Sequence, residues 1–171
     1  MMKIYLTNLG KYNEGELVGE WVELPITNGE LEKVLERIGI NEEHEEYFIT
    51  DYECNFYHIN EYDSVKKLNE IAEKLNELDE EEREVAETLI SDLGFSVDEA
   101  IETVENGDYR IYYDCSGMDD VAYQVVQECG YLENVPENVA RYFDYESFGR
   151  DLSIEGTFLF MNDDRVVEVL R

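Results

Sequence analysis

Carboxylates in this chain come in long tracts that no basic residue interrupts, and that arrangement restricts its folding more than any other feature. Glu84, Glu87, Asp92, Asp98, Glu99, Glu102, Glu105 and Asp108 lie between Arg83 and Arg110 without a Lys or Arg among them. The stretch from Arg37 to Lys66 is the same, enclosing Glu42, Glu43, Glu45, Glu46, Asp51, Glu53, Glu61 and Asp63. Between Arg110 and Arg141 stand Asp114, Asp119, Asp120, Glu128, Glu133 and Glu137. An ordinary acidic surface supports its helices with Glu–Lys pairs four residues apart, and this chain mostly forgoes them. With 43 acidic against 13 basic residues the net charge is −30. Self-repulsion of that size opposes compaction, so the chain folds only if an apolar core turns the carboxylates outward. The 43% hydrophobic and 12% aromatic content supplies such a core and excludes a disordered acidic tail.

The same charge restricts partners. A pI near 4.1 disfavours direct contact with nucleic acid or an anionic membrane, because either would bring like charge together. Cationic partners are expected. There is no 18-residue apolar run and no secretory signal pattern at Met1-Met2-Lys3-Ile4-Tyr5, so the expected location is cytoplasmic. Cys54, Cys115 and Cys129 are odd in number, widely spaced and set in apolar stretches, and read as buried free thiols in a reducing compartment.

The pattern predicts an α+β chain of three small domains: a mixed unit with a small antiparallel sheet over 1–62, a helical domain over 63–107 and a second mixed unit over 108–171. Lys3–Thr7, Leu17–Leu24 and Tyr47–Ile49 read as strands, and Gly10–Gly15 as a turn. Asn28 is the expected cap of a helix that Gly39 ends. From Ser64 to Asn106 the apolar spacing predicts three helices broken near Asp79 and Gly94, with Asp79–Glu82 and Ser96–Glu99 as capping boxes. A strand over Tyr109–Asp114, a helix over Asp119–Cys129, a helical stretch after Pro136 and a closing hairpin about Asn162–Asp164 complete the chain.

Glu70, Glu73, Glu77, Glu80, Glu84 and Glu87 recur at alternating intervals of three and four residues, which lines a helix face with carboxylates about 5 Å apart. A solvated helix face explains this, and so does imitation of a phosphate backbone. Thirty net charges match about 50 Å of B-DNA, roughly 15 base pairs. A compact globule of this length spans only about 40 Å, so mimicry favours an elongated arrangement.

Motifs for chemistry are lacking. Cys54 and His58 are four residues apart, but no second pair completes a zinc site. Asp163 and Asp164 lack the ligand ladder of a calcium loop, and no glycine pattern cradles a phosphate. Neither catalysis nor a cofactor is expected.

Gly10-Lys11-Tyr12-Asn13-Glu14-Gly15 followed by Gly19-Glu20-Trp21-Val22-Glu23-Leu24 resembles the opening of the ArdA antirestriction proteins. The resemblance continues through Asp51-Tyr52-Glu53, Glu61-Tyr62, Ser64, Leu68-Asn69 and Asp120-Val121-Ala122. It is fullest at Tyr142-Phe143-Asp144-Tyr145-Glu146-Ser147-Phe148-Gly149-Arg150-Asp151-Leu152 with Gly156-Thr157-Phe158, and spans residues 3–165. It implies a non-catalytic mimic of bent B-form DNA, encoded on mobile elements. Such a mimic occupies the DNA-binding site of type I restriction-modification enzymes, in their specificity and methyltransferase core. It also implies an elongated three-domain protein that dimerises through its carboxyl-terminal domain. The alternative is an acidic protein that binds another basic DNA-binding or histone-like partner.

In a mimic, function lies in the collective placement of acids. The expected acidic surface is Glu42, Glu43, Glu45, Glu46, Glu70, Glu73, Glu77, Glu80, Glu84, Glu87, Asp92, Glu99, Glu102, Glu105, Asp119 and Asp120. An interface between two chains of charge −30 must be locally apolar, and Tyr112, Val121, Val125, Cys129 and Phe158 are its candidates, although the same residues also suit a domain core.

Overall fold

The computed structural model describes residues 2–170. Among them are eight helices and two three-stranded antiparallel sheets, so the chain is mixed α and β. Its contacts gather into two compact units, one reaching Val97 and the other starting at Asp98. That division falls inside the expected helical domain over 63–107 and coincides with neither expected boundary, 62 nor 107.

The first unit contains β1 (Met2–Asn8), α1 (Leu9–Asn13), β2 (Gly19–Leu24), α2 (Asn28–Arg37), β3 (Tyr47–Glu53), α3 (Val65–Glu77) and α4 (Glu80–Leu93). Its sheet has the order β2-β1-β3. Met2, Ile4 and Leu6 alternate along β1 and are buried, and their partners across the ladder include Leu24 and Val22. A strand with period two must put all of these on one face, and that face is the core. α3 buries Val65, Leu68, Ile71, Ala72 and Leu75, and α4 buries Val85, Ala86, Leu89 and Ile90, each at helical spacing.

Helix ends follow the sequence closely. Asp79 and Glu82 form the expected capping box, with the Glu82 amide donating to Asp79 at 2.9 Å. Gly94 ends α4 in the left-handed conformation at φ 70°, which a residue without a Cβ adopts at little cost. The cap of α2 is Thr27 rather than Asn28. Thr27 and Glu30 complete a reciprocal box that Asn28, one residue late, could not form.

The turn expected after β1 is a short helix instead. Asn8 is fully buried; its side-chain oxygen accepts from the Lys11 amide at 3.0 Å and so caps α1. Its amide nitrogen donates to the carbonyls of Ile38 and Gly39 at 3.1 and 3.0 Å. One side chain thereby ties the end of β1 to the end of α2.

The second unit comprises α5 (Val97–Glu105), β4 (Tyr109–Tyr112), α6 (Met118–Glu128), α7 (Glu137–Ala140), α8 (Tyr145–Glu155), β5 (Thr157–Phe160) and β6 (Val166–Val169). Its sheet has the order β4-β6-β5. The closing hairpin is as expected, and its turn holds Asp163 and Asp164 at positive φ. β4 ends at Tyr112, two residues earlier than expected, because Asp114 takes φ 55° and leaves the extended region.

α8 is the element that the apolar pattern does not reveal. Asp144 caps it, accepting from the Ser147 amide at 2.9 Å. Gly149, in its middle, is its buried residue. A Cβ there would collide with the Met118 carbonyl, so glycine permits the close packing of α8 on α6. Tyr112, Cys115, Val121 and Val166 form a core cluster in this unit, with Met118, Val125 and Phe158 packed against it.

Candidate interaction surface

The acids of the expected surface sit on five segments. Glu42, Glu43, Glu45 and Glu46 occupy the loop between α2 and β3, and all four are exposed. Asn41 shapes that loop, its side-chain oxygen accepting from the amides of Glu43 and His44 at 2.8 and 3.1 Å. Glu70, Glu73 and Glu77 are exposed on α3, turned away from its buried Leu68, Ile71 and Leu75. Lys66 lies 3.9 Å from Glu70, and the Asn69 amide donates to Glu73 at 2.8 Å.

Asp79 breaks the glutamate stripe as expected, and its second half lies on α4. There Glu80 is exposed, whereas Glu84 and Glu87 are partly covered. Burial pushes the Glu87 carboxyl above its ordinary pKa, outweighing the attraction of Arg83. The spacing of three and four therefore does not mark a uniform face. Val85, Ala86, Leu89 and Ile90 require a broad buried stripe, and Glu84 and Glu87 border it.

Asp92 is exposed on α4 and accepts from the Ser91 hydroxyl at 2.6 Å. Glu99, Glu102 and Glu105 are exposed on α5, opposite the buried Ala100 and Val104. Asp119 and Asp120 lie in the first turn of α6, where the helix dipole favours negative charge. The Ser116 amide and hydroxyl bond Asp120 at 2.8 and 2.9 Å and hold its carboxyl below the usual range.

The apolar candidates divide differently from expectation. Tyr112 and Val121 are 2% and 0% exposed and lie inside the core cluster, so they have no surface to offer. The Tyr112 hydroxyl donates to Glu168 at 2.8 Å, and Arg110, which also pairs with Glu128, stands 5.1 Å over its ring. Val125 and Phe158 are half-buried against the same cluster; of the three thiols expected to be buried only Cys115 is, while Cys54 is half-buried and Cys129, at the end of α6, is exposed. Strand and helix periodicity identifies apolar positions but cannot tell a core face from an interface.

Sequence reasoning missed an aromatic chain on the second unit. Tyr123, Tyr145, Phe143, Phe148 and Tyr131 follow one another with ring centroids 4.9 to 6.2 Å apart. Tyr123 and Tyr131 are more than half exposed, and nearby in sequence Tyr142 and Ile154 are each 75% exposed. Its signal was the aromatic density of Tyr142 to Phe148.

Among the described residues no group of three or more His, Cys, Asp and Glu side chains could hold a metal ion, and no helix is long and apolar enough to cross a membrane. No curated protein matches the chain. The family model described as antirestriction protein (ArdA) matches residues 4–167, nearly the whole length. Acids carried outward on five segments of a mixed α and β chain accord with that match, and the chain belongs to the ArdA antirestriction protein family.

Proposed function

We propose that this protein is an antirestriction protein that acts as a DNA mimic. Its carboxylates stand in for phosphates of bent B-form DNA and occupy the DNA-binding site of a type I restriction-modification enzyme, in the cytoplasm of a cell receiving mobile DNA. The observation that carries this reading is the exposure of Glu42, Glu43, Glu45 and Glu46 in their loop, of Glu70, Glu73 and Glu77 on α3, of Glu80 and Asp92 on α4, of Glu99, Glu102 and Glu105 on α5, and of Asp119 on α6. Family membership supports the antirestriction role. A homodimer joined through the second unit completes the proposal, supported by the exposed apolar side chains Tyr123, Tyr131, Tyr142 and Ile154.

Competition tests it. A purified type I enzyme bound to labelled duplex is titrated with the protein, and release of the duplex with loss of cleavage is the expected result. Unchanged cleavage at saturating protein overturns the reading. Displacement of DNA from an unrelated basic protein, with the type I enzyme untouched, favours the broader acidic binder instead.

A further inference from the structure

The strand β2 lies at one end of its sheet, so one of its edges faces no other strand. The Asn8 amide donates to the Val18 carbonyl at 2.9 Å, which sets the phase of the ladder with β1. Glu20, Val22 and Leu24 bond to β1 in that phase, and the N–H and C=O groups of Trp21 and Glu23 point to the open edge. Both ends of the edge are closed: the Tyr5 hydroxyl donates to the Gly19 carbonyl at 3.0 Å, and the Ile26 amide donates to the Asn69 side chain at 2.6 Å. The edge lines an open cleft of about 660 Å³ that α2, α3 and α4 also border.

We propose that this edge binds an extended peptide in which basic and apolar residues alternate, adding a fourth strand to the sheet. Main-chain groups at alternate residues call for another main chain, and the two faces of β2 specify its side chains. Opposite Trp21 and Glu23 an incoming residue meets an indole that is 43% exposed and a carboxylate, which together suit Lys or Arg. On the other face it stands beside Val22 and Leu24, whose side chains are nearly closed off from solvent, and the apolar side chains that the cleft still offers are the exposed Pro25 and the half-buried Ile26, which suit Val or Ile. Glu20 does not compete for the cation, because Arg37 holds it through two bonds of 2.6 and 2.9 Å. The other cations of the cleft, Lys33 and Arg83, have Glu30 and Glu87 as electrostatic neighbours, and the chain's −30 charge favours a basic peptide throughout.

The test needs only the full chain and two synthetic peptides, so it is independent of the antirestriction reading. One peptide alternates Lys and Val; the other has the same sequence with its lysine backbone nitrogens methylated, which keeps charge and side chains but removes the donors aimed at Trp21 and Glu23. Trp21 is the single tryptophan, so its emission reports on the cleft. The unmodified peptide is expected to shift that emission saturably and to slow amide exchange at Trp21 and Glu23 roughly tenfold, the worth of about one net hydrogen bond. The methylated peptide is expected to do neither. Equal effects from both peptides, protection elsewhere in the chain, or no binding overturns the proposal.

Discussion

Glu77 and Glu87 share a sequence pattern but not an environment, and single residues are where that difference is measured. Glu77 is exposed on α3 and belongs to a distributed set of charges. Replacing it with Gln is expected to change inhibition of a restriction enzyme by less than about 1 kcal/mol in binding, a few-fold at most in an inhibition titration. Loss of inhibition with the fold intact would indicate a localised site. Glu87 is partly covered, and burial raises its pKa. A carboxyl whose folded pKa lies above its unfolded one favours the native state while protonated, and that contribution is lost as pH rises through the folded value. Glu87→Gln is therefore expected to raise the melting temperature at neutral pH, with the difference from the parent fading below the ordinary glutamate range. Asp120 and Asp144 have the opposite sign. Hydrogen bonds from Ser116 and Ser147 depress their pKa values, so their contributions are present at neutral pH and lost as pH falls through the folded values. A melting curve recorded against pH for Glu87→Gln and for Asp120→Asn separates the two behaviours.

Elements were legible in the sequence where a local signal sufficed. α3 and α4 carry clean apolar spacing and a reciprocal cap at Asp79, and the closing hairpin carries alternating residues around a polar turn. α1 and α8 were not legible, because each depends on a partner distant in sequence. α1 is fixed by Asn8, whose amide reaches Ile38 and Gly39, and no local pattern announces that contact. α8 has its small residue where an apolar one is expected, since Gly149 is the point of approach to α6. The same reason made Tyr112 and Val121 look like interface candidates: burial depends on what packs over a residue, and periodicity is silent about that. The close approach gives an element-scale prediction. Gly149→Ala pushes a methyl group into the Met118 carbonyl and is expected to cost about 1–3 kcal/mol, as overpacking does. Thermal or denaturant unfolding measures it, and an unchanged midpoint would show that the two helices separate easily.

A net charge of −30 acts on the whole molecule in two directions that salt distinguishes. Pairing through the second unit must overcome repulsion between two such chains, and together they carry the charge of about 30 base pairs, or 100 Å of duplex. Sedimentation at micromolar concentration is expected to show a dimer, and Ile154→Glu, which changes a side chain already 75% exposed, is expected to dissociate it without lowering the stability of the fold. A parent chain that sediments as a monomer refutes the pairing. Salt then tests the electrostatic account itself. Screening weakens repulsion among the carboxylates of the folded chain, so the melting temperature is expected to rise between low and moderate salt. It also weakens attraction between those carboxylates and a cationic binding site, so the concentration needed to inhibit the restriction enzyme is expected to rise over the same range, as it does for DNA. Side-chain charges on a protein are spaced less densely than phosphates and condense fewer counterions, which makes the expected slope shallower than that of a duplex with equal charge. The protein is thus expected to become more stable and less effective under the same change of solvent. A melting temperature that rises while inhibition stays constant would place the binding energy in apolar contacts, and phosphate imitation would then fail as the mechanism.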